Sequence, residues 1–175
     1  LKVNKNVVVV LSGGAAIEMP WADKVPSILN MFLTGQAGGS AVCDILFGDV
    51  NPSGKLAETY PLSLSDNPSY NYYPGYTASV EYKESVFVGY RYYDTAEKNV
   101  LFPFGYGLSY TSFSVTDCAI DKTSVDVNGN VTLSAKVTNT GAVEGSTVVQ
   151  LYVKTPGNTY AHAPIKRLAG SKKVY

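Results

Sequence analysis

Residues 86–113, VFVGYRYYDTAEKNVLFPFGYGLSYTSF, constrain the fold of this chain more than any other stretch. Tyr90, Tyr92, Tyr93, Tyr106 and Tyr110 are interspersed with Phe87, Phe102, Phe104 and Phe113, and Gly89, Gly105 and Gly107 accompany the lone Pro103. The segment holds no histidine or cysteine, and its only carboxylates are Asp94 and Glu97. Tyrosine joins a large apolar body to a polar tip, so this composition suits an apolar, hydrogen-bonded joint. It is poor in groups that move protons. A joint needs something on either side, and the flanking sequences differ in type.

On the N-terminal side, residues 5–11 carry four consecutive valines and a leucine without alternation, which predicts a parallel strand buried on both faces. Ser12, Gly13 and Gly14 turn the chain. Val25, Ile28, Leu29 and Phe32 recur at helical spacing and predict a helix over 22–33, with Pro26 in its first turn and Gly35 as its stop. A second helix is predicted over 39–47, with Val42, Ile45 and Leu46 facing inward, Cys43 as a small core residue and Gly48 as terminator. Residues 49–55, DVNPSGK, form a turn cluster, and 56–60 a short strand ended by Pro61. Strand, helix, helix, strand is an α/β layered pattern. Residues 63–79 read as a long loop of the kind that is functional or lines an interface, and a strand is expected near 80–90.

Beyond residue 113 the pattern is all-β. Val131, Leu133, Ala135 and Val137 alternate with polar residues, Asn139-Thr140-Gly141 turns the chain, and a second strand follows at 147–153. With the strand-like ending LAGSKKVY, this reads as a small β-sandwich holding about four of its roughly seven strands. Both ends read as cut, and the chain as a piece of something larger.

Composition excludes several functions. The 175 residues are 45% apolar and 16% charged, a balance that supports a real core. Net charge is zero and the Lys and Arg residues are scattered, so nucleic acid is not an expected partner. The apolar N-terminal run is too short for a membrane span or a signal-peptide core, so no membrane partner is expected and the compartment stays open. Cys43 and Cys118 lie in segments of different type; a disulfide between them is disfavoured, and without histidines they make no metal site. The single histidine, His162, sits in a Pro-flanked loop and reads as a surface residue, which removes any Ser-His-Asp arrangement. Gly13-Gly14 lacks the dinucleotide and phosphate-loop patterns. No metal or cofactor is expected.

The carboxylates and tyrosines read as structural. Glu81 and Glu84, three apart on the expected strand, point to opposite faces and cannot share a substrate. Glu18 and Asp23 flank Pro20-Trp21 at a helix entrance, where Asp23 complements the dipole and Trp21 fills the core. Asp44 and Asp49 read as a solvated helix edge and a turn former. Tyr70, Tyr72, Tyr73 and Tyr76 suit either a sugar-stacking rim or a domain joint, with the joint favoured. Asn130-Val131-Thr132 is a formal glycosylation sequon, relevant only to a secreted eukaryotic protein.

The order of motifs resembles the C-terminal half of a glycoside hydrolase family 3 enzyme of the β-glucosidase type. The matching pieces are VVVVLSGG, Met19-Pro20-Trp21, LTGQAGG, AVCDILFGDVNPSGK, LAETYP, DNPSY, VEYKESVFVGYRYYD, LFPFGYGLSYTSF, VTNTGAVEGSTVVQLYV and APIKRLAG. The resemblance implies an incomplete three-layer α/β sandwich over residues 1–62 and a tyrosine-rich loop and inter-domain connector over 63–112. A truncated fibronectin type III-like (immunoglobulin-like) sandwich then follows over 113–175. It also implies retaining hydrolysis of terminal β-linked sugars, using two carboxylates about 5 Å apart. The family's nucleophilic Asp belongs to a (β/α)8-type barrel, and its acid/base Glu lies upstream of VVVVLSGG. No catalytic, substrate-binding or metal residue therefore carries over to this chain, which is expected to be inactive alone. The implied partners are that barrel and the rest of the α/β domain, with a β-glucoside substrate only in the complete enzyme. The rival reading is a non-catalytic fibronectin-like binding or adhesion module, which the motifs before Pro61 argue against.

Overall fold

The computed structural model describes residues 2–75, 79–154 and 163–175. His162 and Tyr76 lie outside the described residues. Strand β1 (Val8–Leu11) pairs in parallel with β2 (Ser27–Asn30), and helix α1 (Gly38–Phe47) follows. Strand β3 (Tyr60–Pro61) pairs antiparallel with β4 (Val100–Phe102), and helix α2 (Tyr90–Thr95) lies between them in sequence. Two antiparallel pairs complete the described chain: β5 (Phe113–Ile120) with β6 (Leu133–Asn139), and β7 (Thr147–Lys154) with β8 (Lys166–Val174). Strands predominate and helices are few.

The predicted helix over 22–33 is not formed. Residues Ala22–Lys24 make one tight 3-10 turn, Val25 is extended at φ −107° and ψ 135°, and β2 begins two residues later. Pro26 explains the difference, because its ring disfavours helical backbone at the preceding residue. Asp23 thus sits in a three-residue turn and not at the entrance of a long helix. The expected strand at 80–90 is also absent. Ser85 and Gly89 have φ of 51° and 59°, the Phe87 amide donates to the Glu84 carbonyl at 2.8 Å, and α2 begins at Tyr90. Left-handed backbone at two positions breaks an extended run.

Strand β1 has the expected parallel partner but alternates exposed and half-buried residues, with Val8 45% and Val10 42% exposed. The second predicted helix matches α1, and Gly48 ends it in the left-handed conformation at φ 84°. Its inward face is covered only in part: Val42 and Ile45 are half-buried, whereas Cys43 and Leu46 are exposed, and the neighbouring Phe47 is 82% exposed. Among the described residues the buried apolar side chains are Met19, Tyr60 and Tyr93, none of which belongs to α1. Both cysteines are free and exposed.

The 63–79 loop is irregular where described, apart from a 3-10 turn at Leu64–Asp66. Ser63 accepts from the Ser65 amide, and Asp66 reaches back to the Ser63 amide in a capping box. Glu18 accepts from the Leu64 amide, which ties the loop to the segment before β2.

Candidate functional site

Buried Tyr60 and a set of largely half-buried aromatic rings gather at a joint that connects three parts of the chain. Tyr60 on β3 is 2% exposed and meets Phe102 on β4 edge-on, with ring centroids 6.4 Å apart. Phe102 stacks on Tyr106 at 5.0 Å. Tyr90, at the start of α2, stacks on Phe104 at 4.8 Å and meets Tyr152 of β7 edge-on at 5.8 Å. Offset and edge-on contacts of this kind add about 0.5–1.5 kcal/mol per pair beyond burial.

The polar tips of these rings are used as well. Asn30 at the end of β2 donates to the Tyr60 hydroxyl at 2.8 Å, and the Leu168 amide of β8 donates to the Tyr90 hydroxyl at 2.7 Å. The Tyr110 hydroxyl donates to the Ile45 carbonyl at 2.7 Å, satisfying an acceptor in the last turn of α1. Burial raises the ionisation range of Tyr60, Tyr93 and Tyr152 above that of a free tyrosine. These phenols stay neutral at ordinary pH, which suits packing and hydrogen bonding.

The glycine-rich corner between β4 and β5 is threaded against the turn after α1. The Leu56 amide donates to the Tyr106 carbonyl and the Gly105 amide to the Leu56 carbonyl, each at 2.8 Å. Gly105 has φ 82°, open to glycine at no steric cost. Gly107 packs so closely that an added Cβ would overlap the Gly54 carbonyl oxygen. Lys55 donates through Nζ to the Gly107 carbonyl, and burial lowers its pKa.

A second latch lies between α2 and β8. Lys166 pairs with Asp94 at 3.0 Å and sits 5.0 Å from the Tyr152 ring centroid. The Ile165 amide donates to Thr95 Oγ1 at 3.1 Å. This half-exposed ion pair is worth little by itself and lies beside the aromatic stack.

The other sequence candidates lie apart from this cluster. Tyr70 and Tyr73 are exposed, at 48% and 73%, and the Tyr72 ring faces the Lys83 ammonium at 4.6 Å. These loop tyrosines lie outside the ring cluster around Tyr60 and Tyr90. Trp21 is half-buried. Glu81 pairs with Lys83 at 2.8 Å in an irregular segment, so the opposite-face argument for Glu81 and Glu84 no longer applies. Tyr60, Tyr152 and Asn51 were not foreseen as part of the joint. The N-P-S-G run around Asn51 marked a turn without showing what the turn touches.

The comparisons with known proteins agree with this architecture. Residues 1–110 match the glycosyl hydrolase family 3 C-terminal domain. The chain is 53% identical over 174 residues to thermostable beta-glucosidase B of Acetivibrio thermocellus, covering 99% of this chain and 23% of that protein. It is 49% identical over 173 residues to an exo-alpha-(1->6)-L-arabinopyranosidase of Bifidobacterium breve, covering 98% of this chain and 22% of the relative. The crystal structure of a Bifidobacterium adolescentis GH3 beta-glucosidase superposes with a TM-score of 0.91 at 46% identity, over 98% of this chain and 25% of that one. The chain thus spans about a quarter of the length of the relatives it matches. It belongs to glycosyl hydrolase family 3 and corresponds to the C-terminal part of the family's β-glucosidases.

Proposed function

We propose that this chain is the bracing part of a retaining, exo-acting β-glucosidase-like hydrolase, with the nucleophilic Asp and the acid/base Glu both outside it. The observation that carries this reading is the match to thermostable beta-glucosidase B, near end-to-end here but over only 23% of that protein. In this reading residues 1–62 finish an α/β sandwich domain, 63–112 form the connector, and 113–175 belong to a fibronectin type III-like sandwich. The half-exposed parallel pair β1–β2 and the bare apolar end of α1 support it. Parallel strands and amphipathic helices are ordinarily covered on their apolar faces, and here the barrel and the remaining α/β layers supply the cover.

The closeness of the chain to relatives named for different sugars also supports a bracing role. Identity is 53% to the beta-glucosidase and 49% to the arabinopyranosidase, which suits a reading in which the residues that choose the sugar lie elsewhere in the enzyme. A β-glucoside is then a ligand of the complete enzyme only. Titrating the chain calorimetrically with cello-oligosaccharides and β-glucans is expected to give no binding heat. Saturable binding would favour the adhesion-module reading instead.

A further inference from the structure

Asn51 lies in the turn that follows α1, and its carboxamide ties that turn to two other segments of the chain, 109–110 and 144. Its Oδ1 accepts from Ser109 Oγ at 2.8 Å and from the Tyr110 amide at 2.9 Å. Its Nδ2 donates to the Glu144 carbonyl, in the connection between β6 and β7, at 2.9 Å. The orientation of the amide follows from chemistry: the Tyr110 amide can only donate and the Glu144 carbonyl can only accept, so a flipped carboxamide would lose both bonds. Gly145 lets the connection approach, since an added Cβ there would lie 2.5 Å from Asn51 Nδ2.

We propose that Asn51 is an orientation lock, a positioning residue whose carboxamide fixes residues 113–175 against the end of α1 through the 109–110 corner. The inference rests on the reading of the tyrosine-rich segment as a joint, and names the residue that sets its angle. Neighbouring bonds complete the seat but do not replace it. Thr111 Oγ1 donates to Asn139 Oδ1 at 2.6 Å and the Thr140 amide to the Ser112 carbonyl at 2.8 Å. Both of these join the corner to the end of β6 and its turn, whereas Asn51 also reaches back to the segment after α1. Asparagine is required by the arrangement: alanine offers neither group, and an ionised aspartate keeps the acceptor while presenting an oxygen to the Glu144 carbonyl.

The test is hydrogen–deuterium exchange, read by mass spectrometry on the full-length polypeptide. Asn51→Asp is nearly isosteric, so a side chain that only fills space would tolerate it. It is expected to speed exchange in residues 139–146 by about tenfold, the equivalent of one hydrogen bond of roughly 1–1.5 kcal/mol, while the Tyr110 amide stays protected. Asn51→Ala is expected to release both. Gly145→Ala displaces the same contact from the other side and is expected to repeat the Asn51→Asp pattern, which keeps the test decisive if that variant folds poorly. Unchanged exchange at 139–146 in Asn51→Asp and Gly145→Ala would overturn the lock, as would uniform acceleration along the chain. Unrestrained exchange of residues 105–112 in the unmodified protein is a different failure, that of the joint itself.

Discussion

Tyr60→Ala is expected to destabilise the chain by about 3–5 kcal/mol, the range for removing a buried aromatic ring. Tyr60 is 2% exposed, and its ring packs against Phe102, which in turn stacks on Tyr106. The truncation also strands the Asn30 amide group that donates to the Tyr60 hydroxyl. Few other buried apolar side chains are available to take up the loss; the described ones are Met19 and Tyr93. A natural domain has only about 5–15 kcal/mol of stability, so this variant should show a large fall in denaturation midpoint. Tyr60→Phe separates the two contributions. It keeps the ring and removes the hydroxyl, and is expected to cost about 1 kcal/mol by denaturant titration. Equal losses in both variants would mean that the hydroxyl bond, and not aromatic packing, holds the joint.

Gly107→Ala is the second large effect, expected at about 2–4 kcal/mol from overpacking together with weakened backbone hydrogen bonds. The new methyl would overlap the Gly54 carbonyl oxygen, and Lys55 Cδ would lie 3.0 Å from it. Backbone is the obstacle, so a side-chain rotation cannot relieve the clash. The strands of chain must part, stretching the Leu56–Tyr106 and Gly105–Leu56 bonds and the Lys55 contact to the Gly107 carbonyl. Gly39→Ala is the control, because an added Cβ there meets nothing within 4 Å. Thermal melts of the two variants should differ clearly; a Gly107→Ala melt matching that of Gly39→Ala would mean the corner is looser than its packing indicates.

The sequence was most legible where one residue type answered one local demand. Gly48 ended α1 because glycine enters left-handed backbone freely, and alternating Leu133, Ala135 and Val137 marked β6. It was least legible where a local rule competed with a periodic one. Val25, Ile28, Leu29 and Phe32 have helical spacing, yet Pro26 excludes helix at Val25 and the chain pairs with β1 instead. Residues 80–90 looked extended because nothing in their composition announces positive φ at Ser85. The inward face assigned to α1 holds in part: Val42 and Ile45 are half-buried, while Leu46 is 41% exposed, because what buries such a residue is tertiary and cannot be read from one helix.

The joint shows the same division. Residues 86–113 advertised themselves by composition, and Tyr90, Phe102, Phe104 and Tyr106 do form its body. Tyr60 and Tyr152 enter from far along the chain, through pairings that only the folded register supplies. Asn51 was visible as a turn former, while its three partners lie 58, 59 and 93 positions away. The exposed Tyr70 and Tyr73 show the converse: tyrosine density alone does not say which rings pack.

In the function proposed above, this chain braces a glycosidase whose catalytic carboxylates lie elsewhere. Assaying the purified 175-residue chain beside the full-length polypeptide on an aryl β-glucoside tests it most directly. No turnover is expected from the chain, and clear turnover from the full-length protein. Activity that stays with the chain through purification would contradict that function.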